Sequence, residues 1–233
     1  MADHPLDNLI WEALHTHHAR FASCGGGAAR YAPDVAPFAA VGDADPESSA
    51  ALARLIAPGE HLYGVGPAPA ASPLLRIEDH GPLAQMVWTA PFPAPSAATV
   101  ITLTAAHLAD MLELTALVYP AYFRPRTPEM GRYLGIYDGS RLAAMAGERM
   151  HAGSWREVSA VCTHPDYAGQ GLARQLMAEI CEEIRRRGET PFLHVSFANE
   201  RAKTLYDRLG FAERRAIPYW VVRRSSDPAV DGE

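Results

Sequence analysis

The sequence predicts an α/β fold in which helices cover a mixed sheet, and three patterns in its second half support this class. A β-branched, apolar run at 157–163 is typical of a strand. After a short loop, residues 168–187 carry an apolar residue at every fourth position, as an amphipathic α-helix requires. Residues 192–197 then predict a second buried strand.

The predicted helix at 168–187 has an apolar stripe along one face and a signal that ends the helix. Arginines fill its last turn, where cations favour the negative end of the helix dipole, and Gly188 can take the left-handed conformation that ends helices. The stripe consists of Leu172, Leu176, Ile180 and Ile184.

Gly169 and Gly171 precede this helix, where backbone N–H groups lack helical partners and a phosphate can approach. Three interpretations are open. A dinucleotide-binding Rossmann loop would need a third glycine or alanine where Arg174 stands. A nucleotide-hydrolase phosphate loop would end in Gly-Lys-Ser/Thr, which is absent here. The glycines could instead serve only close helix–strand packing.

Residues further along the chain narrow the choice among these three interpretations of the glycine loop. Asn199 is placed to cap a helix, and Gly210-Phe211 follows it. The predicted inward face of that helix is Ala202, Leu205, Tyr206 and Leu209. The order strand, Gly-x-Gly-x-Ala, helix, strand, Asn-x-x-Ala-x-x-x-Tyr-x-x-x-Gly-Phe resembles the GNAT superfamily of acyl-CoA-dependent N-acyltransferases, over roughly residues 103–224.

The resemblance implies acetyl-CoA, or another acyl-CoA, as acyl donor, and no metal. Parallel strands at 155–163 and 192–197 would splay apart, and the freed backbone groups would bond the pantetheine arm while the glycine loop binds the pyrophosphate. The family prefers Arg or Gln where Ala168 stands, so phosphate binding should be modestly weaker. The implied donor-binding residues are Val161, Cys162, Thr163, Ala168, Gly169, Gln170, Gly171, Leu172, Ala173, Arg174, Asn199, Ala202, Lys203 and Tyr206.

The implied chemistry is attack by a neutral amine on a thioester, so some group must accept the amine proton. Glu157 lies eleven residues before Ala168, where some family members place their base, acting directly or through water. Glu148, on the preceding strand, is the competing carboxylate. Strand alternation puts Glu157 on one face with Ser159, Val161 and Thr163.

Two further side chains could take part in the chemistry. Tyr206 matches the family's tyrosine that protonates the departing thiolate; alternatively, its ring only fills the core. Cys162 could form an acyl-enzyme, but alternation turns it to the strand face opposite Glu157.

Composition excludes several other classes of function. The 233 residues have a net charge of −6, and no Lys/Arg run is long enough to grip nucleic acid or an anionic membrane. No signal pattern or apolar run of bilayer length is seen, and three cysteines give no disulfide framework. A cytoplasmic protein is expected, as a monomer or homodimer.

The first half predicts a small α/β module at 1–95. A helix is expected at 7–21, where His15 and His18 are spaced as a metal pair, but no third ligand of suitable spacing follows and a solvated helix face is the better explanation. Another helix is predicted at 48–56, and strands at 61–65 and 83–88. The Pro/Ala-rich segment 91–98 is the predicted boundary. By analogy with the glycine N-acyltransferase-like branch, this module could be a reduced copy of the GNAT fold.

The GNAT domain is predicted at 100–225. A helix at 105–118 is followed by an irregular aromatic segment at 119–130, then by an antiparallel meander of strands at 133–137, 141–150 and 155–163. An acceptor held between the meander and the irregular segment would meet Phe123 and Arg126, with Tyr219 as a further wall residue. Tyr122 and Arg124 are also candidates, and the arginines would suit an acceptor that bears a carboxylate.

The sequence therefore predicts direct transfer of an acetyl group from acetyl-CoA to a primary amine of a small molecule or peptide. One alternative is a non-catalytic module that binds or senses acyl-CoA. Another is an O-acyltransferase or small-molecule resistance enzyme that uses the same site.

Overall fold

The computed structural model describes residues 4–90 and 98–225. Five α-helices and thirteen strands lie within these ranges, with 3₁₀ turns at Pro5–Asn8, Ala19–Phe21, Ala105–His107, Thr127–Met130 and Pro165–Tyr167. In chain order the elements are α1 (Leu9–His15), β1 (Ala22–Gly25), β2 (Ala28–Tyr31), β3 (Ala39–Val41), α2 (Pro46–Leu55), β4 (His61–Val65), β5 (Leu75–Asp79), β6 (Leu83–Trp88), β7 (Val100–Leu103), α3 (Leu108–Val118), β8 (Tyr133–Asp138), β9 (Arg141–Ala152), β10 (Trp155–Thr163), α4 (Leu172–Arg186), β11 (Thr190–Ser196), α5 (Glu200–Arg208), β12 (Phe211–Ile217) and β13 (Tyr219–Arg224). This is the mixed α/β class that the sequence predicts.

The chain forms two compact units that do not follow chain order. Of the described residues, the first unit comprises 4–33, 37–83 and 217–225, with two three-stranded sheets ordered β1-β2-β3 and β4-β13-β5. The second comprises 34–36, 84–90 and 98–216, with a seven-stranded sheet ordered β12-β6-β11-β10-β9-β8-β7. Strand β6 therefore joins the second unit, and the late strand β13 joins the first. Residues 91–97 of the predicted boundary lie outside the described residues, and the limits 1–95 and 100–225 stay a prediction.

Both faces of the seven-stranded sheet are covered by apolar helix surfaces. On one face, the predicted stripe of α4 is buried together with Leu209 and Phe211, and Ala202, Leu205 and Tyr206 of α5 pack against the same cluster. On the other face, Met111 and Leu114 of α3 pack with Tyr133, Met145 and Cys162. The predicted faces of the two C-terminal helices are confirmed, as is the stop at Gly188, which has φ +79°.

Strands β10 and β11 run parallel for only a short distance. Their paired positions are Trp155 with Thr190, Arg156 with Pro191 and Glu157 with Phe192, and among the described residues the pairing ends there. The remainder of β10 pairs only with β9 on its other side. The predicted splay is confirmed, and it leaves the β11-facing backbone edge of residues 158–163 open.

Strand β10 is also bulged, which the strict alternation assumed from the sequence did not foresee. Its register with β9 shifts between Arg156 and Val158, and again between Ser159 and Cys162. Ala160 lies in the second bulge with φ +51°, a left-handed conformation that is uncommon for a residue with a Cβ. As a result, Val158 and Val161, three residues apart, both pack on the α4 face, whereas unbroken alternation would put them on opposite faces. The expectation that residues 157, 159, 161 and 163 share one face is wrong.

The first unit corrects several sequence expectations. The predicted helix at 7–21 ends at His15, and a short 3₁₀ turn replaces its last part. His18 is buried rather than solvated, and its Nδ1 lies 2.9 Å from the Tyr31 hydroxyl. The helix predicted at 48–56 is confirmed as α2, capped by Asp45. Strands β1, β2, β3, β5 and β13 of this unit were not predicted, nor was β7 of the second unit, because short strands carry little periodicity.

A first prediction concerns Gly210, which has φ +79° and lies directly beneath the carbonyl oxygen of Ala90. Gly153, in the β9–β10 turn, has φ +59° and open space where a Cβ would stand. The variant Gly153→Ala should lose about 1–2 kcal/mol, the usual cost of a left-handed residue. Gly210→Ala should lose a further amount of about 1–3 kcal/mol, because its methyl group collides with backbone. Urea unfolding of both variants measures the difference, and equal losses would contradict the packing argument.

Candidate active site

The loop before α4 combines an open surface with unpaired backbone donors. Gly169 and Gly171 both have φ +81°, and a Cβ at either position would meet nothing within 4 Å. Residues 168–171 are exposed, and α4 begins at Leu172 with Gly171 as its N-cap. The N–H groups of the first turn have no intrahelical acceptors and carry the positive end of the helix dipole. The glycines are thus required by backbone conformation, and the surface they leave open suits an anion.

The other side of the splay is formed by α5. The Asn199 side chain caps this helix by accepting a hydrogen bond from the Ala202 N–H at 3.0 Å. Lys203 pairs with Glu213 at 2.9 Å and lies over the Phe197 ring. Arg174 is exposed on the first turn of α4. The structure gives Asn199 and Lys203 local roles within the protein, while Ala202 faces the core.

A pocket lies on the α3 face of the sheet, between the helix end and the meander. It encloses about 280 Å³, its solvent-filled mouth included. Its walls come from the end of α3, the irregular segment, β8, β9 and the bulge of β10. The lining residues are Thr115, Tyr119, Tyr122, Phe123, Thr127, Tyr133, Arg149, Ser159 and Ala160. The sequence pointed to this region, but it named only Phe123 and Tyr122 among these residues.

Glu157 is 1% exposed and is held by partners on both neighbouring strands. Arg149 donates to its two carboxylate oxygens at 2.8 and 2.9 Å, and His194 Nδ1 lies 2.8 Å from Oε1. Burial alone would raise the pKa of Glu157, but the guanidinium and the imidazole outweigh it and hold the pKa well below its usual range. A carboxylate held in this way is a weak proton acceptor, so the geometry favours a positioning role.

The hydrogen bonds around Glu157 belong to a polar chain that crosses five adjacent strands. Arg214 donates to Gln85 Oε1 at 2.6 Å, and Gln85 Nε2 lies 3.0 Å from His194 Nε2. Because Arg214 fixes the amide oxygen, Gln85 presents its NH₂ group to the imidazole. Nε2 of His194 must then accept, and Nδ1 carries the proton donated to Glu157. We call Arg214, Gln85, His194, Glu157 and Arg149 the polar chain.

Glu148, the competing carboxylate, lies in a separate ion-pair network. It is 3% exposed, accepts from Arg187 at 2.6 Å and lies 3.6 Å from Arg156. Arg156 also pairs with Glu189, whose pKa is lowered by these cations despite its burial. Glu148 therefore joins the end of α4 to the sheet, which is a structural role.

Tyr206 and Cys162 are the remaining candidates for chemistry. Burial raises the pKa of Tyr206 to about 12, and the nearby Tyr119 and Cys162 add to the shift. Its hydroxyl is therefore protonated at neutral pH, as a proton donor must be. Burial likewise raises the pKa of the Cys162 thiol to about 12, which keeps it from acting as a thiolate nucleophile. The bulge removes the alternation argument against Cys162, but its pKa gives the same answer.

Two of the three predicted acceptor-wall residues lie elsewhere. Arg126 is bound to Glu129 at 2.7 Å and to Asp34 at 3.2 Å, so its charge is already balanced. Tyr219 belongs to the first unit, where its ring stacks on Tyr63. Arg124 does not line the pocket, whereas Arg149 does. Sequence reasoning missed Arg149, Tyr133 and His194. Alternation within β9 and β11 gave the only signal for Arg149 and His194, as polar residues in apolar strands.

Within the described ranges, no cluster of three or more His, Cys, Asp and Glu side chains is placed to hold a metal ion. None of the helices described is long and apolar enough to cross a membrane.

A second prediction concerns the charge of Glu157. Glu157→Gln keeps the side chain's shape but leaves Arg149 buried without its counter-ion, so the free energy of unfolding should fall by about 3–5 kcal/mol. The matched control Glu182→Gln breaks an exposed pair with Arg185 and should cost about 1 kcal/mol at most.

The same pair gives a pH dependence with a defined sign. The pKa of Glu157 is lowered on folding, so its contribution is complete above the unfolded value of about 4.3 and is lost as the pH falls towards the folded value. The stability gap between wild type and Glu157→Gln should narrow between about pH 7 and about pH 3. Urea unfolding at both pH values checks this, and a gap that does not change would contradict the assigned shift.

The chain is similar to several known proteins. Residues 133–221 match the family described as FR47-like protein. Over 73 residues the chain is 37% identical to the ribosomal protein bS18-alanine N-acetyltransferase of Escherichia coli K12; the match covers 31% of this chain and 45% of that relative, less than half its length. A structure of a GCN5-related N-acetyltransferase from Kribbella flavida shares the fold, with 16% identity, a TM-score of 0.63 and 94% of each chain covered.

Another comparison that spans the chain is with a crystal structure from Novosphingobium aromaticivorans DSM 12444, described as a putative acetyltransferase of the GNAT family. The two are 35% identical with a TM-score of 0.88, and the match covers 96% of this chain and 100% of the other. Identity of this size over the full length, together with the splayed strands and the glycine loop, shows that this chain belongs to the GNAT family.

Proposed function

We propose that this protein is an acetyltransferase that moves the acetyl group of acetyl-CoA directly to a primary amine. The observation that carries the proposal is the end of β10–β11 pairing at Glu157 and Phe192, next to the open Gly169–Gly171 loop. Unpaired strand edge and unpaired helix N–H groups lie together, and an amide-rich chain ending in a pyrophosphate satisfies both.

The residues that would hold the donor fall into two sets. Backbone groups of Val161, Cys162 and Thr163, on the open edge of β10, would bond the pantetheine amides as an added strand does. Backbone N–H groups of 169–173 would bind the pyrophosphate, since the Ala168 N–H already donates to the Pro165 carbonyl oxygen, and Arg174 and Lys203 would add charge. Asn199 keeps its side-chain NH₂ group for the arm while its oxygen caps α5. When bound, acetyl-CoA supplies the thioester carbonyl that the amine attacks.

The acceptor would occupy the aromatic pocket beside Ser159 and Ala160. The attacking amine must lose a proton. We propose that this proton passes to a water molecule held near the charged carboxylate of Glu157, and from that water to bulk solvent, and that Glu157 itself is not protonated. The carboxylate in turn keeps Arg149 in the pocket wall. This assigns Glu157 to the relay alternative rather than to direct proton abstraction.

Tyr206 would donate its proton to the departing thiolate. Its hydroxyl is protonated at neutral pH, because burial raises its pKa to about 12, and its ring packs against the apolar cluster on the α4 face of the sheet. The E. coli relative is named for acetylating an alanine of a ribosomal protein, and a peptide amine is within the acceptor class proposed here alongside small-molecule amines.

The third prediction tests donor binding. Calorimetric titration of the wild-type protein with acetyl-CoA should give a micromolar dissociation constant, about −8 kcal/mol. Gly171→Glu should weaken binding at least tenfold, because its carboxylate would face the pyrophosphate. Gly153→Glu, equally left-handed and equally open, should bind as wild type does. Equal binding by all three proteins would move the donor site away from this loop.

The fourth prediction tests the proton donor. Tyr206→Phe should lower kcat about 100-fold or more, because general acid catalysis contributes that much. Its affinity for acetyl-CoA should stay close to that of wild type. Tyr137→Phe, which removes a hydroxyl bonded to Asp110, is the control and should keep its kcat within a few fold. Acetyl-CoA binding without acetylation of any amine by wild type would favour a non-catalytic binding module.

A further inference from the structure

The pocket contains a buried polar atom that the described part of the chain does not satisfy. Tyr133 is 2% exposed, and its hydroxyl has no hydrogen-bond partner among the described residues. The ring is fixed, with its face against Gly147 and an edge-to-face contact with Phe123. An unpaired buried hydroxyl is costly, so its position in a pocket wall points to a group that binds there.

The neighbours of this hydroxyl determine what that group must offer. The Thr115 and Thr127 hydroxyls in the same wall already donate to backbone carbonyl groups. Arg149, which also lines the pocket, carries only hydrogen-bond donors, so it offers no acceptor for the Tyr133 hydroxyl hydrogen. Tyr133 therefore presents a donor to the pocket, and the group that completes it is a hydrogen-bond acceptor.

The charge in the pocket selects between kinds of acceptor atom. Arg149 is the sole charged side chain among the described lining residues, and Glu157 neutralises it through two hydrogen bonds. A carboxylate entering the pocket would lose its water and meet the negative charge of Glu157 without a cation of its own. A neutral carbonyl oxygen carries neither cost.

We propose that the Tyr133 hydroxyl selects acceptors in which a neutral carbonyl stands next to the reacting amine. Amino-acid amides and the first residue of a polypeptide have this arrangement, whereas free amino acids and simple alkylamines do not. This inference rests on the proposed acetyltransferase function and refines its acceptor class. It replaces the carboxylate-bearing acceptor expected from Arg124 and Arg126, since Arg126 is already paired and Arg124 does not line the pocket.

The test compares three acceptors of similar size, namely alaninamide, alanine and isopropylamine, with wild type and Tyr133→Phe. Wild type should use alaninamide with at least tenfold higher kcat/KM than alanine. Tyr133→Phe should lower kcat/KM for alaninamide about 10- to 100-fold and change that for isopropylamine less than about twofold. For each acceptor, kcat/KM of the variant is divided by kcat/KM of wild type. Both values share the same amine, so differences in amine basicity between acceptors cancel.

If Tyr133 had only a structural role, the thermal midpoints and the kcat/KM values would follow a different pattern. Tyr133→Phe removes an unpaired hydroxyl, so its thermal midpoint should equal or exceed that of wild type. Tyr137→Phe, on the same strand, loses a bonded hydroxyl, should melt lower and should keep the wild-type kcat/KM for each of the three acceptors within about twofold. An equal loss for every acceptor in Tyr133→Phe, or no loss for any, would overturn the proposal.

A binding measurement separates this inference from the proposed function. Alaninamide should raise the thermal midpoint of wild type, in the presence of CoA, and should raise that of Tyr133→Phe much less. That difference can be measured even if no acceptor is acetylated, in which case the proposed function fails and the inference survives. Equal shifts in both proteins would refute the inference while leaving acetyl transfer untouched.

Discussion

The buried ion pair between Glu157 and Arg149 is the constraint on which the rest of the site depends. Both groups lie in the middle of a sheet, where an unpaired charge is far more costly than a hydrogen-bonded pair. The ion pair alone does not satisfy the carboxylate, because Glu157 has further lone pairs that need hydrogen-bond donors. His194 donates to one of them. His194 in turn needs Gln85, and Gln85 needs Arg214. One buried carboxylate therefore specifies polar residues on five strands.

This polar chain also explains why the splay begins where it does. Glu157 and Phe192 form the last paired position of β10 and β11, and His194 bonds Glu157 across that junction just beyond it. The side chains thus connect the two strands at the point where backbone pairing stops. Beyond this connection, the bulge at Ala160 breaks the alternation of β10, so that Val158 and Val161 pack on the same face of the sheet. A rigid connection next to an open edge gives a preformed groove rather than a frayed sheet.

Periodicity and local motifs in the sequence were enough to predict α4, the glycine loop and the Asn199 cap, because each depends on residues close together in the chain. The parallel pair was expected only from the family resemblance, since its strands are separated in the chain by α4. The bulge could not be predicted, since nothing in Ser159-Ala160-Val161 signals a left-handed alanine. The polar chain could not be predicted either, because its members lie up to 129 residues apart, as Gln85 and Arg214 do. The membership of β6 and β13 in the two units depends on tertiary pairing and has no local signature.

The site holds two titratable groups whose environments shift their pKa values in opposite directions. Burial acts on both Glu157 and Tyr206, and by itself it would keep both protonated. Arg149 reverses the effect for Glu157, while the neighbours of Tyr206 reinforce it. At neutral pH one group is therefore charged and the other carries its proton. Direct acyl transfer needs this division, because the amine must lose a proton on one side of the reacting carbonyl while the thiolate gains one on the other. Arg149 thus does more than balance a charge: without it, Glu157 and Tyr206 would both be proton donors, and no group at the splay could help to remove the amine proton.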